Sequence, residues 1–181
     1  MPHFRPEYPD DLVARAAKVR LACFDVDGTL TDGRLWFDSM GRESKAFSVL
    51  DGQGLVQLRK AGITVAFVTA RDSLVAANRA RELGAEPHVN VKDKLACVEE
   101  IRMRLGLERE QVAFMGDDLP DLGVLRLAGF AVAPANVHHW IRDEVHWVTP
   151  SRGGEGAVRE FCDLVLHAQG RLADLLGDGA R

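Results

Sequence analysis

Two aspartates two residues apart, Asp25 and Asp27, leave a short apolar run, Val19 to Phe24, and are followed at once by Gly28. Such a run, ended by a residue that lets the chain turn, reads as a buried strand that delivers both acids to one end. Residues i and i+2 of a regular strand share a face, and a turn at Gly28 lets the carboxylates diverge. One then faces a substrate phosphorus and the other its leaving oxygen. Like charges held this close are costly without a cation, so a divalent metal is expected. Ligands that are all oxygen, in a phosphate setting, favour Mg2+. A second set of acids, Asp117, Asp118 and Asp121, follows Gly116 at the end of another apolar run, Gln111 to Met115, and repeats the arrangement.

The remaining segments must bring these groups together. Ile63 to Val68 reads as a buried strand that ends in Thr69, Ala70 and Arg71. A short strand precedes Asn90, a helix runs from about Leu95 to Leu105 just after Lys94, and Phe130 to Ala133 and the His146–Trp147 region read as further strands. Between them lie helices over Tyr8 to Lys18, from Asp51 as N-cap to a stop at Gly62, over Ser73 to Leu83, and after Gly153-Gly154-Glu155-Gly156. Free amides at the Asp51 helix start suit an anion. Arg71 and Arg79 fall near the mouth of the site, where their planar forks suit a carboxylate. Residues 33–50, with Trp36 and Phe37 on one side of Gly41, read as a hairpin. Strands alternating with helices, with acids at strand ends, predict an α/β sandwich with a mainly parallel sheet and a site at its switch point.

Composition narrows the class. A chain of 181 residues, 46% hydrophobic and 28% charged, suits one globular domain. The net charge of −4 argues against nucleic acid as a partner. No apolar stretch is long enough for a membrane span and the first residues lack a signal core, so a cytoplasmic protein is expected. Cys23, Cys97 and Cys162 have no metal-ligand spacing and read as reduced thiols. The adjacent His138 and His139 read as loop residues, not ligands.

Phe24 to Gly33 resembles motif I, Asp-x-Asp-x-Thr, of the haloacid dehalogenase-like phosphatases, and in its longer form the 3-deoxy-D-manno-octulosonate 8-phosphate phosphatases. Thr69, Lys94 and Gly116-Asp117-Asp118-x-x-Asp121 match motifs II, III and IV, and the Phe47…Asp51-Gly52-x-Gly54 and Gly153 to Glu160 segments resemble the same family. The resemblance implies a Rossmann-like three-layer haloacid dehalogenase-like core over about 19–166 of one domain spanning 1–181, with a β-hairpin flap over about 33–50, a tail over about 167–181 and no cap domain. It implies Asp25 as nucleophile forming an aspartyl-phosphate and Asp27 as general acid and base. Mg2+ would be held by Asp25, the Asp27 backbone carbonyl and Asp117, and Thr69 and Lys94 would stabilise the phosphoryl oxygens. Thr29, Asp51, Gly52, Ala70, Arg71 and Arg79 would contact substrate. Asp118 would act through water or Lys94, and Asp121 would cap or order the next turn.

The implied substrate is 3-deoxy-D-manno-octulosonate 8-phosphate, in lipopolysaccharide precursor synthesis, and the implied assembly is a homotetramer whose neighbouring subunits cover the site. A nonulosonate 9-phosphate phosphatase would share every motif. A receiver domain needs no acid at the position of Asp27, and a non-catalytic oligomerisation module needs none of these residues. The chain departs from the family at Asn90, where a glycine is common, at His88, near which an aromatic is frequent, and at Pro134 to His139, in place of Asp-Ala-His.

Overall fold

The computed structural model describes residues 7–171; of the tail expected over about 167–181, residues 167–168 belong to the last helix, and 172–181 lie outside the described residues. In chain order the elements are α1 (Asp10–Ala16), β1 (Leu21–Phe24), β2 (Trp36–Phe37), β3 (Glu43–Ser44), α2 (Val49–Lys60), β4 (Thr64–Val68), α3 (Leu74–Leu83), β5 (Glu86–His88), α4 (Lys94–Arg104), β6 (Val112–Met115), α5 (Leu122–Leu125), β7 (Phe130–Ala133), β8 (Trp147–Val148) and α6 (Ala157–Ala168). Six strands form one sheet in the order β5-β4-β1-β6-β7-β8, and every pairing in it is parallel. From β1 the chain moves to β4 and β5 on one side and then crosses to β6 on the other. The carboxyl end of β1 is therefore the switch point, where helices diverge and leave a crevice.

β1, β6 and β7 in the middle of the sheet are apolar and buried at every position because both faces are covered. Ala22, Phe24, Val65, Phe67, Met115 and Phe130 face one core with residues of α1, α2, α3 and α6. Leu21, Cys23, Ala66, Val68, Phe114 and Ala131 face the other with Val98 and Ile101 of α4 and Val124 and Leu125 of α5. The α6 ring of Phe161 stands edge-on to Phe24 at 5.4 Å and stacks on Phe130 at 5.8 Å. Burying a phenylalanine or leucine side chain this fully contributes about 1.5–3 kcal/mol.

β2 and β3 pair antiparallel, Trp36 opposite Ser44 and Phe37 opposite Glu43, and form the hairpin outside the main sheet. Two local expectations are corrected. The first helix is shorter than Tyr8 to Lys18, starting after Pro9. α2 begins at Val49 and its cap is Ser48, whose Oγ accepts from the Asp51 amide at 3.3 Å. The Asp51 carboxylate is thus free of the cap and accepts instead from the Arg159 amide of α6 at 2.8 Å. Among the described residues no helix is long and apolar enough to cross a membrane.

Candidate active site

Phe24 pairs with Phe67 and Met115, so the three central strands end level, and the Asp25 amide continues the ladder by donating to the Met115 carbonyl at 2.9 Å. The chain then turns sharply. The Val26 carbonyl accepts from the Leu30 and Thr31 amides at 3.0 and 3.1 Å, and the Thr31 hydroxyl accepts from the Gly28 and Gly33 amides at 3.3 and 3.2 Å. Gly28 takes a φ of +97°, and a Cβ there would collide with the Asp117 carboxylate. Glycine is what lets the turn and the acid share the space. The Thr29 hydroxyl, expected on substrate, instead donates to Asp117 Oδ1 at 3.2 Å.

After β6 the chain turns again and Asp121 orders the loop, its Oδ2 accepting from the Asp117 and Asp118 amides at 3.0 and 3.3 Å. Its Oδ1 accepts from Lys94 Nζ at 2.6 Å, and the same ammonium donates to Asp25 Oδ1 at 2.5 Å. Lys94 sits in the first turn of α4, whose start is capped by Asp93, accepting from the Ala96 amide at 2.9 Å. The lysine partner from this loop is therefore Asp121; Asp118 accepts from the Leu119 amide at 2.8 Å and lies at the rim.

Carboxylate oxygens of Asp25, Asp117 and Asp121 lie within 4.8 Å of one another. Burial, with the Asp121 charge adding to it, pushes Asp117 up to about 7. The same two causes raise Asp25 well above the usual carboxylate range, against the pull of Lys94. Burial alone would lower Lys94, but the Asp25 and Asp121 carboxylates outweigh it and raise its pKa. One ammonium thus stands among three acids, two buried and one half-buried, a charge deficit that a hard divalent cation on oxygen ligands would fill. Asp121 belongs to this trio, whereas the carboxylate of Asp27 turns elsewhere.

Asp27 Oδ1 accepts from Lys45 Nζ, and Lys45 also donates to Glu43 Oε1 at 2.9 Å. Glu43 is held in turn by Arg71 Nη2 at 3.3 Å and by the Ser73 hydroxyl at 2.7 Å. Burial would raise Glu43, but Lys45 and Ser73 outweigh it and lower its pKa. Glu43 and Lys45 are absent from the sequence expectations. The available signal was their i, i+2 spacing on the returning arm of the hairpin, which sends both to one side.

A cleft of about 150 Å³ opens here, lined by Asp25, Asp27, Thr69, Ala70, Arg71 and Lys94, with Asp118 and Asp121 at one edge. Thr69 is buried at the end of β4, its hydroxyl accepting from the Arg71 amide at 3.2 Å. Asp51, Gly52 and Arg79 do not line this cleft. Arg79 bonds Glu82 at 2.9 Å and lies 6.0 Å from the Phe47 ring centre, and a side chain at Gly52 would strike its guanidinium. Asn90 adopts a φ of 57°, a left-handed conformation that glycine takes freely and asparagine tolerates, so backbone shape accounts for either residue there. Asn136 bridges two backbones: its amide donates to the Gly28 carbonyl at 2.8 Å and its oxygen accepts from the Gly153 amide at 2.6 Å. The His138 amide donates to the Asp117 carbonyl at 2.8 Å, and its ring lies against His139 and Trp140.

Three comparisons bear on this arrangement. The sequence model of the haloacid dehalogenase-like hydrolases matches residues 42–129. The 3-deoxy-D-manno-octulosonate 8-phosphate phosphatase of Yersinia pestis is 41% identical over 169 residues, 93% of this chain and 90% of the relative. Among solved structures, a hypothetical protein from Xanthomonas campestris superposes with a TM-score of 0.97 at 55% identity, over 100% of both chains. The Moraxella catarrhalis 3-deoxy-D-manno-octulosonate 8-phosphate phosphatase, in complex with magnesium ion, phosphate ion and KDO, superposes with a TM-score of 0.91 at 38% identity, over 94% of this chain and 99% of that one.

Proposed function

The chain belongs to the 3-deoxy-D-manno-octulosonate 8-phosphate phosphatase family of haloacid dehalogenase-like hydrolases, and we infer from that premise how its own residues hydrolyse this ester. The observation that carries the reading is one cleft holding a buried acid bonded to a lysine, Asp25 and Lys94, beside a second acid, Asp27, that faces away from the acid trio. A nucleophile and a proton carrier are thereby kept apart, each in its own electrostatic surroundings.

In the first step an Asp25 carboxylate oxygen bonds to phosphorus as the bond from phosphorus to the sugar oxygen breaks, and Asp27 gives that oxygen its proton. In the second, Asp27 takes a proton from water, whose oxygen bonds to phosphorus while the bond to Asp25 breaks. Phosphate leaves and both acids return to their starting states. The Thr69 hydroxyl and Lys94 ammonium stabilise the equatorial oxygens throughout. Asp25, Asp117 and the Asp27 carbonyl, with Asp121 beside them, would hold Mg2+, which when bound offsets the repulsion between an anionic nucleophile and an anionic ester. Ala70 and Arg71 line the approach, and the Arg71 guanidinium suits the sugar carboxylate.

The cleft is open on one side, and hydrolysis through an acyl-phosphate is best served by a covered site. Four subunits, each closing a neighbour's cleft near the exposed Trp36 and Phe37, fit that need. The protein would work in the cytoplasm on a lipopolysaccharide precursor. The test is phosphate release from 3-deoxy-D-manno-octulosonate 8-phosphate beside a panel of other sugar phosphates, with and without Mg2+. A strong metal-dependent preference for the octulosonate is expected. Preference for a nonulosonate 9-phosphate would move the specificity, and no activity on any ester would overturn the reading.

A further inference from the structure

The hairpin brings a charged residue onto Asp27 at the wall of the catalytic cleft. Lys45, just after β3, has a side chain with 0% exposure, and its ammonium lies between two carboxylates, Asp27 Oδ1 and Glu43 Oε1. A buried ammonium held by two acids is costly to move, because withdrawing it leaves uncompensated charge on both sides. Glu43 is itself fixed by the Ser73 hydroxyl, which also caps α3 by accepting from the Ala76 amide at 3.3 Å, and by Arg71. A continuous polar chain therefore runs from the start of α3 through the hairpin to Asp27.

This chain makes the two oxygens of Asp27 unequal. Oδ1 is held by Lys45. Oδ2 is buried without a hydrogen-bond partner, and Arg71 Nε, also unpartnered, stands 3.9 Å away. A buried oxygen left unbonded is unfavourable unless a ligand or water meets it. We propose that Lys45 is a positioning residue for Asp27: by holding Oδ1 it aims Oδ2 at the leaving oxygen, so that the hairpin is part of the acid–base machinery and not only a cover. The proposal rests on the reading of Asp27 as proton donor given above. In the first step the proton passes from Asp27 Oδ2 to the sugar oxygen while Lys45 stays bonded to Oδ1; in the second, Oδ2 accepts the proton from water.

Leaving-group dependence tests this without involving sugar recognition. A series of substituted phenyl phosphates, run at one pH and saturating Mg2+, gives kcat/KM as a function of leaving-group pKa for the unaltered enzyme, Asp27→Asn, Lys45→Met and Lys45→Arg. Loss of proton donation hurts poor leaving groups most, so Asp27→Asn should steepen the dependence. Lys45→Met should steepen it in the same sense, with losses of about tenfold or more at the poorest leaving group and little change at the best, and Lys45→Arg should restore much of the loss. A uniform loss across the series in Lys45→Met, or no loss, overturns the proposal. An unchanged slope in Asp27→Asn overturns the proton-donor reading itself, so the two failures are distinguishable. Should Lys45→Met fail to fold, Glu43→Gln, which keeps the ammonium but loosens its anchor, must steepen the slope in its place, and a parallel line there is equally fatal.

Discussion

The Asp117 carboxylate lies against the α-carbon of Gly28 so closely that no side chain could be added there. Two loops that are distant in sequence, after β1 and after β6, are thereby locked together at the acids that would hold the cation. The lock has three further ties: Thr29 on Asp117, the His138 amide on the Asp117 carbonyl, and Asn136 on the Gly28 carbonyl.

Gly28→Ala should break this lock in two ways. Alanine at positive φ costs roughly 1–2 kcal/mol by itself, and its methyl must push Asp117 away from Asp25 and Asp121. The expected outcome is a lower melting temperature together with a large rise in the Mg2+ concentration giving half-maximal activity. Thermal denaturation and metal titration check both. A variant that melts earlier but titrates with Mg2+ as before would show that the packing does not set the cation site.

The acid trio predicts how stability depends on pH without metal. Asp117 is raised to about 7 in the folded protein against an ordinary 3.8, and Asp25 is raised as well. The folded state therefore binds protons more tightly than the unfolded one. The stability these groups contribute is fully present below the unfolded value near 3.8 and is lost as pH rises through the folded value near 7. In a chelator, the melting temperature should thus fall between slightly acid and neutral pH. Saturating Mg2+ should flatten that fall and release protons on binding, and at a hundredfold excess over its dissociation constant it should add about 2.7 kcal/mol. Melting curves at several pH values, with chelator and with Mg2+, decide the matter; an identical pH profile in both would count against a cation held by these acids.

Which features are legible in the residues alone follows from how local the determining interaction is. The strands at Leu21–Phe24 and Val112–Met115 are legible because an unbroken apolar run ending in glycine and acids fits little but a buried strand. Lys94 is legible only through its match to motif III, and it opens the first turn of α4. Asp121 as a partner of Lys94 is not, since an acid four residues past Asp117 looks the same whether it caps a turn or faces a lysine from another helix, and here it does both. Asp51 misleads because the helix begins three residues earlier than a cap at its Asp-Gly pair would place it, and Ser48 takes the cap. Lys45 escapes notice because a lysine on a hairpin is ordinarily solvated, and only the tertiary approach of the hairpin to Asp27 buries it.

Asp51 therefore offers a choice between a structural and a substrate role. Its carboxylate holds the Arg159 amide in the first turn of α6, the helix that packs along α2. Asp51→Ala should lower stability by about 1–2 kcal/mol, as for the loss of a helix cap, while KM is unchanged. Denaturant midpoints and steady-state kinetics separate the outcomes. A raised KM with unchanged stability would return Asp51 to the substrate.

The surface around the cleft argues for company. Trp36, Phe37 and Met40 on the hairpin are largely exposed, and so are Val49, Leu50 and Leu74 in the first turns of α2 and α3. Large apolar side chains gathered on a few segments, with Met40 at 78% and Val49 at 80% exposure, are unusual for a lone chain and usual for an interface. The cleft opens beside the same hairpin through Lys45 and Asp27. Association through these residues would cover the apolar surface and hold the hairpin down on Asp27, which ties assembly to turnover. Light scattering should give the mass of four chains. Trp36→Lys combined with Met40→Lys should yield smaller species and lower kcat, the loss in kcat following dissociation as the protein is diluted. A species of 19.9 kDa that is fully active at working concentration would refute the coupling. A tetramer whose activity survives the paired substitution would place the interface elsewhere.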